Sequence, residues 1–148
     1  MIREATESDL PRIVELGSRS LVDGPYAGII KDVPAQSRKC AQAVLAGGKI
    51  LLAESDDGSV VGLLGFILAR HHFSDQPYAA ELMWYVEPEH RKGGIALQLL
   101  WEAEKLAAKM GAETFLFTAP NEDVAAIYKR FGYTKLEVTY SKNIPCHS

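Results

Sequence analysis

The sequence predicts an α/β domain, a mixed β-sheet with helices on its faces. Three observations carry that expectation. Apolar residues recur at helical spacing through the first third of the chain, short apolar runs replace them from Lys49, and after Pro88 a glycine-rich turn opens a further helix. The resulting order is two helices, three strands, a helix, a strand, a helix and a strand, which demands a mixed sheet.

Thr6 or Ser8 can cap a first helix that has Asp9 and Pro11 in its opening turns and Leu10, Ile13, Val14 and Gly17 at helical spacing. Residues 23–34 carry several turn formers and read as an irregular connection. A second helix over 34–46 stops at Gly47-Gly48. The run Ile50-Leu51-Leu52-Ala53, the turn Asp57-Gly58 and the stretch from Val60 to Leu68 read as an antiparallel pair. A third strand over 78–86 is ended by Pro88. Gly94 opens a long helix with Ile95, Leu99, Ala103, Leu106 and Met110 on one face, and Gly111 closes it. A buried strand over 114–118, a short helix over 121–131 and a last strand over 134–142 complete the prediction.

At 148 residues the chain is the size of one domain, and 47% hydrophobic with 24% charged residues is a globular composition. We read a single domain over 1–148. A formal charge of -3 argues against a general nucleic-acid or anionic-membrane binder. Two cysteines, Cys40 and Cys146, make no disulfide framework or zinc set, and the polar N-terminal stretch lacks a signal-peptide pattern, so a cytoplasmic protein is expected. His71-His72 reads as a solvated loop pair, and no metal is expected.

The stretch from Met83 to Ala96 is the most informative, because a strand ends there in a glycine-rich turn that begins a helix. Main-chain N–H groups at a helix N-terminus lack acceptors and carry partial positive charge, so they can cradle a phosphate. Arg91 and Lys92 add charge beside Gly93 and Gly94. Neither G-x-x-x-x-G-K-[ST] nor a strand-borne G-x-G-x-x-G occurs, which sets aside kinase and dehydrogenase readings.

About thirty residues on stands Asn121-Glu122-Asp123-Val124-Ala125-Ala126-Ile127-Tyr128-Lys129-Arg130-Phe131-Gly132-Tyr133. Arg-x-x-Gly-x-Ala after one strand and Asn-x6-Tyr-x3-Gly-Tyr after the next resemble the GNAT superfamily of acyl-CoA-dependent N-acyltransferases, over nearly the whole chain. The resemblance implies a central, mostly antiparallel sheet with a parallel splayed pair, helices on both faces and an N-terminal strand near Ile2. It implies acetyl-CoA as acyl donor, its pyrophosphate bound by main-chain amides from Arg91, Lys92, Gly93, Gly94, Ile95 and Ala96. The main chain of Trp84, Tyr85 and Val86 would pair with the pantetheine arm, and Asn121 would contact the same arm. Tyr128 would protonate the departing thiolate. Here Lys92 stands second and Gly93 third in a turn where most members have a small and then a basic residue; the main-chain donors survive that exchange.

An alkylamine with pKa near 10.4 is about one part in 10³ free base at pH 7, so something must take its proton. Glu81 is the candidate base, on the strand that should line the acyl end, and several members place a basic glutamate there. Strand alternation would put Glu81, Met83 and Tyr85 on one face unless a bulge intervenes. Glu87 is the reserve. The expected reaction is acetyl transfer to a primary amine by direct attack, the alternative a non-catalytic acyl-CoA-binding regulatory module. The acceptor is a small-molecule or peptide amine, a homodimer remains open, and neither nucleic acid nor membrane is expected as a partner. The acidic balance favours a cationic acceptor.

Overall fold

The structure is a computed structural model that describes residues 1–146. The chain falls into two compact units, Met1–Thr118 and the stretch from Ala119 onward. In the first, β1 (Ile2–Glu4), β2 (Gly48–Glu54), β3 (Val60–Arg70), β4 (Pro77–Val86) and β5 (Thr114–Leu116) form one sheet in that order. The first four strands pair antiparallel, and β4 pairs parallel with β5. The mixed sheet expected from the order of elements is therefore the one that forms.

Helices cover both faces of this sheet. α1 (Leu10–Asp23) and α2 (Val33–Gly47) lie on one, where Ile13, Leu16, Ala41 and Val44 close a core over Ile50, Leu52 and Leu63. α3 (Ile95–Lys109) lies on the other, its Leu99, Ala103 and Ala107 packed over Leu51, Leu64 and Phe66. A run such as Ile50-Leu51-Leu52-Ala53 is apolar throughout because alternate side chains feed the two cores. One turn of 3-10 helix over Glu7–Asp9 leads from Thr6 into α1, and Asp32 caps α2 by accepting from the Ala35 N–H at 3.3 Å. Gly58 takes the positive φ of 83° that the β2–β3 turn requires. Among the described residues, no helix is long and apolar enough to cross a membrane.

In the second unit, α4 (Glu122–Arg130) is followed by a turn in which the Gly132 N–H donates to the Lys129 carbonyl at 3.2 Å. The strand expected over 134–142 is not formed; from Tyr133 to Cys146 the chain has no regular structure. Leu136, Val138 and Tyr140 do alternate as a strand requires, but all three are exposed. Alternation fits a segment to a ladder without supplying the neighbouring strand, and no described strand pairs with this one.

α1 and α2 approach closely at Gly17, where a Cβ would stand 2.5 Å from Ser37 Oγ and 3.0 Å from Met83 Cε. Ser37 is fully buried and its hydroxyl donates to the Val14 carbonyl at 3.0 Å, so it cannot turn aside without losing that bond. Gly17→Val should cost about 2 kcal/mol by overpacking and lower Tm on the order of 4–8 °C. Thermal unfolding followed by circular dichroism checks this, and an unchanged Tm would show that the helices have room to part.

Candidate active site

The site is built on β4. Its pairing with β5 runs only from Tyr78 opposite Thr114 to Ala80 opposite Leu116. The expected strand over 114–118 stops at Leu116 for that reason. Beyond Ala80, no described strand pairs with β4 on the β5 side, so the two strands open as a fork and β4 presents main-chain donors and acceptors along one edge.

At the mouth of the fork β4 carries a bulge. Phe66 of β3 pairs with Glu81 and Gly65 with Met83, leaving Leu82 as an extra residue. The extra residue reverses the alternation, so Glu81 does not share a register face with Met83 and Tyr85, contrary to simple strand parity. Met83 and Tyr85 are buried towards α1 and α2, while Val86 and Trp84 pack on the α3 side. There the Trp84 ring meets Phe117 edge-on at 5.7 Å, and Phe117 stacks on Phe115 at 4.4 Å. The side chains of Trp84, Tyr85 and Val86 thus serve the cores. Tyr85 lies opposite Leu63 in the same hydrogen-bonding phase as Glu87 opposite Val61, so its main chain is turned to β3, and the open edge is left to the main chain of Trp84 and of Val86, whose carbonyl takes a bond from Arg91.

Glu81 is half-buried at the fork, where its Oε2 accepts from the Thr118 N–H at 3.5 Å. Burial pushes its carboxyl up to about 7, and the Thr118 bond only partly opposes this. The same carboxylate acts on the Cys40 thiol of α2, whose pKa is raised first by burial and then by the Glu81 charge. A thiol held up in this way is a poor nucleophile.

Past β4, Pro88–Gly93 forms a short 3-10 helix, and Gly94, in the left-handed region at φ 80°, starts α3. No side chain caps α3, and its first turn holds no acidic residue. The first α3 amides, including those of Ile95 and Ala96, have no intrahelical acceptor. A Cβ built on Gly93 or Gly94 would meet nothing within 4 Å, so the main chain lies open to an approaching group. Lys92 is exposed beside this opening, and the structure gives Arg91 another task. Arg91 Nε donates to the Val86 carbonyl at 2.8 Å and its guanidinium lies 5.3 Å from the Tyr85 ring centroid, tying the turn back to β4.

Two expected residues belong to the second unit. Asn121 is the N-cap of α4, its Oδ1 accepting from the Val124 N–H at 3.0 Å. Tyr128 is buried on α4, its ring 5.8 Å from that of Tyr133, and its carbonyl accepts from the Tyr133 N–H at 3.0 Å.

Glu87, the reserve base, is committed elsewhere. Its Oε1 accepts from Arg12 Nη2 at 2.6 Å and Arg19 Nη1 at 2.8 Å. These pairs overcome burial and hold its carboxyl below the ordinary range, the wrong direction for a base at neutral pH. Sequence reading missed this because the partners lie 75 and 68 residues away and no local motif joins them. His71 and His72 stack at 4.9 Å in the loop after β3.

Residues 23–133 match the Acetyltransferase (GNAT) family. This chain belongs to that family. Among solved structures similar to this GNAT chain is aminoglycoside 6'-N-acetyltransferase AAC(6')-Ig from Acinetobacter haemolyticus, 25% identical with a TM-score of 0.72, over 98% of this chain and 99% of that one. A ribosomal-protein-alanine N-acetyltransferase from Brucella melitensis is 19% identical with a TM-score of 0.75, over 97% and 99%. A GNAT family acetyltransferase from Staphylococcus aureus is 16% identical with a TM-score of 0.70, over 97% and 98%. No curated protein matches the sequence.

The Glu81 carboxyl of this GNAT fold yields a stability prediction. Folded, it keeps its proton to about pH 7; unfolded, it loses it near 4.5. The folded state therefore binds more protons in that window, and the Glu81 contribution to stability falls as pH rises through it, levelling above about 7. Glu81→Gln carries no charge and lacks this fall. The variant's Tm should gain on wild type between about pH 5 and pH 8; parallel Tm curves would contradict the raised carboxyl.

Proposed function

We propose that this protein is an N-acetyltransferase that moves an acetyl group from acetyl-CoA to a primary amine by direct attack, the whole chain, 1–148, acting as one catalytic domain. One observation carries the reading: the open edge of β4 leads through one short 3-10 helix to an uncapped helix N-terminus with open space before Gly93 and Gly94. Those residues fit coenzyme A, with an edge for the amide-bearing pantetheine arm and amides for the pyrophosphate. Two similar structures are N-acetyltransferases, which favours an amine acceptor.

When bound, acetyl-CoA supplies the thioester carbonyl and the thiol leaving group. The main chain of Trp84 and Val86 aligns the arm as an added strand would be aligned, while that of Tyr85 holds β4 to β3. The free amides at the start of α3, those of Ile95 and Ala96 among them, hold the pyrophosphate, Lys92 adds charge, and Arg91 keeps the turn on β4. A main-chain N–H on the β4 edge donates to the carbonyl oxygen as charge grows there. Asn121 keeps the entry to α4 in shape for its contact with the arm.

Glu81 takes the amine proton. A carboxyl near 7 is poised for that work, since it is partly ionised at neutral pH and basic enough to accept. Tyr128 supplies the proton that the departing thiolate needs, so protons balance between amine and thiol. The acidic composition favours a cationic amine by steering it.

A panel of primary amines assayed for thiol release tests the reading. With the best acceptor, Tyr128→Phe should lower kcat by on the order of 10²-fold and leave the coenzyme A Kd within about twofold. Glu81→Gln should remove the ascending limb of kcat/KM near pH 7. An unchanged kcat removes Tyr128 from the reaction, and an unchanged profile removes Glu81. Coenzyme A binding without turnover of any amine would favour the regulatory-module alternative.

A further inference from the structure

We propose that Glu87 is a positioning residue for coenzyme A, held by Arg12 and Arg19 of α1 so that it fixes the turn carrying the pyrophosphate-binding amides. The inference rests on the donor reading above and adds to it a device outside the cradle.

Glu87 is the one residue between the end of β4 and Pro88. Its N–H donates to the Val61 carbonyl at 2.9 Å, and its own carbonyl accepts from the His90 N–H at 2.9 Å, starting the 3-10 helix. Its carboxylate is 14% exposed and takes both arginines on one oxygen. Arg12 also donates to the Val60 carbonyl, from Nε at 3.0 Å and Nη2 at 2.7 Å. Glu15 joins Arg12 at 2.9 Å and Arg19 at 2.8 Å, which closes a ring of alternating charge.

The place of this ring matters more than its strength. Glu15 and Arg19 are about half exposed, and pairs of that kind add little to global stability. Yet the ring grips the first residue of a turn whose far end is two consecutive glycines, the residue type with most freedom to lose. Arg91 grips the same turn from Val86. Between them, α1 and β4 hold the amides in place before a ligand arrives, and preorganisation of this kind shows as affinity. Arg12 and Arg19 are thereby remote contributors to the cradle without touching it.

Titration calorimetry with coenzyme A and, separately, with pantetheine, which lacks the pyrophosphate, tests the proposal. Glu87→Ala should raise the coenzyme A Kd about tenfold and leave the pantetheine Kd within about twofold. Arg19→Gln, on the exposed side of the ring, serves if Glu87→Ala does not fold, and should raise the coenzyme A Kd about threefold in the same selective sense. A wild type that binds coenzyme A, with variants that bind it equally well or lose both ligands alike, would overturn the positioning role alone. A wild type that does not bind coenzyme A would overturn the donor reading and this inference with it.

Discussion

The fork between β4 and β5 is the constraint on which the site depends. Three residue pairs hold these strands together, and after Ala80 opposite Leu116 the ladder ends. A strand edge in the middle of a sheet is costly to leave open, since its donors and acceptors need partners. The bulge at Leu82 sits next to the departure point and reverses the side-chain parity of β4 there. It lets one strand serve two cores above the bulge while Glu81 turns to the fork, where Thr118 donates to it.

Two carboxylates six residues apart on the same segment then acquire opposite characters. Glu81 is buried with a single weak main-chain donor, so its proton is held to about 7. Glu87 faces two guanidinium groups, which outweigh its burial and keep it ionised. Burial opposes charge in both; the difference is the cations of α1. The same segment therefore carries a carboxyl that keeps its proton towards neutral pH at one end and a carboxylate fixed by cations at the other. The turn that follows adds the third component, a helix start with no cap of its own and open space before its glycines.

Features written in local sequence were legible. Asp57-Gly58 named its turn, Gly94 its helix start, and the switch of period at Lys49 the passage from helices to sheet. The alternation of Leu136, Val138 and Tyr140 misled, because it describes a strand's faces and not its neighbours. The parity of Glu81 with Met83 and Tyr85 failed because one inserted residue is invisible in a run that is apolar on both faces. The charge of Arg91 beside the glycines is visible in sequence, while its Nε bond to Val86 and its place near the Tyr85 ring depend on how the turn folds back. The pairs from Glu87 to Arg12 and Arg19 join residues 75 and 68 positions apart, and only the fold brings them together. The family, by contrast, was carried by two short motifs, each at the end of a strand, where main-chain geometry restricts the residues allowed.

The most direct test of the account is thermal unfolding of the wild-type protein with and without acetyl-CoA. A ligand at 100 times its Kd should stabilise the fold by about 2.7 kcal/mol and raise Tm on the order of 5–10 °C. That rise is the result the open edge and the glycine cradle predict. No shift at about millimolar acetyl-CoA, with the protein folded, would contradict both and the transferase reading built on them.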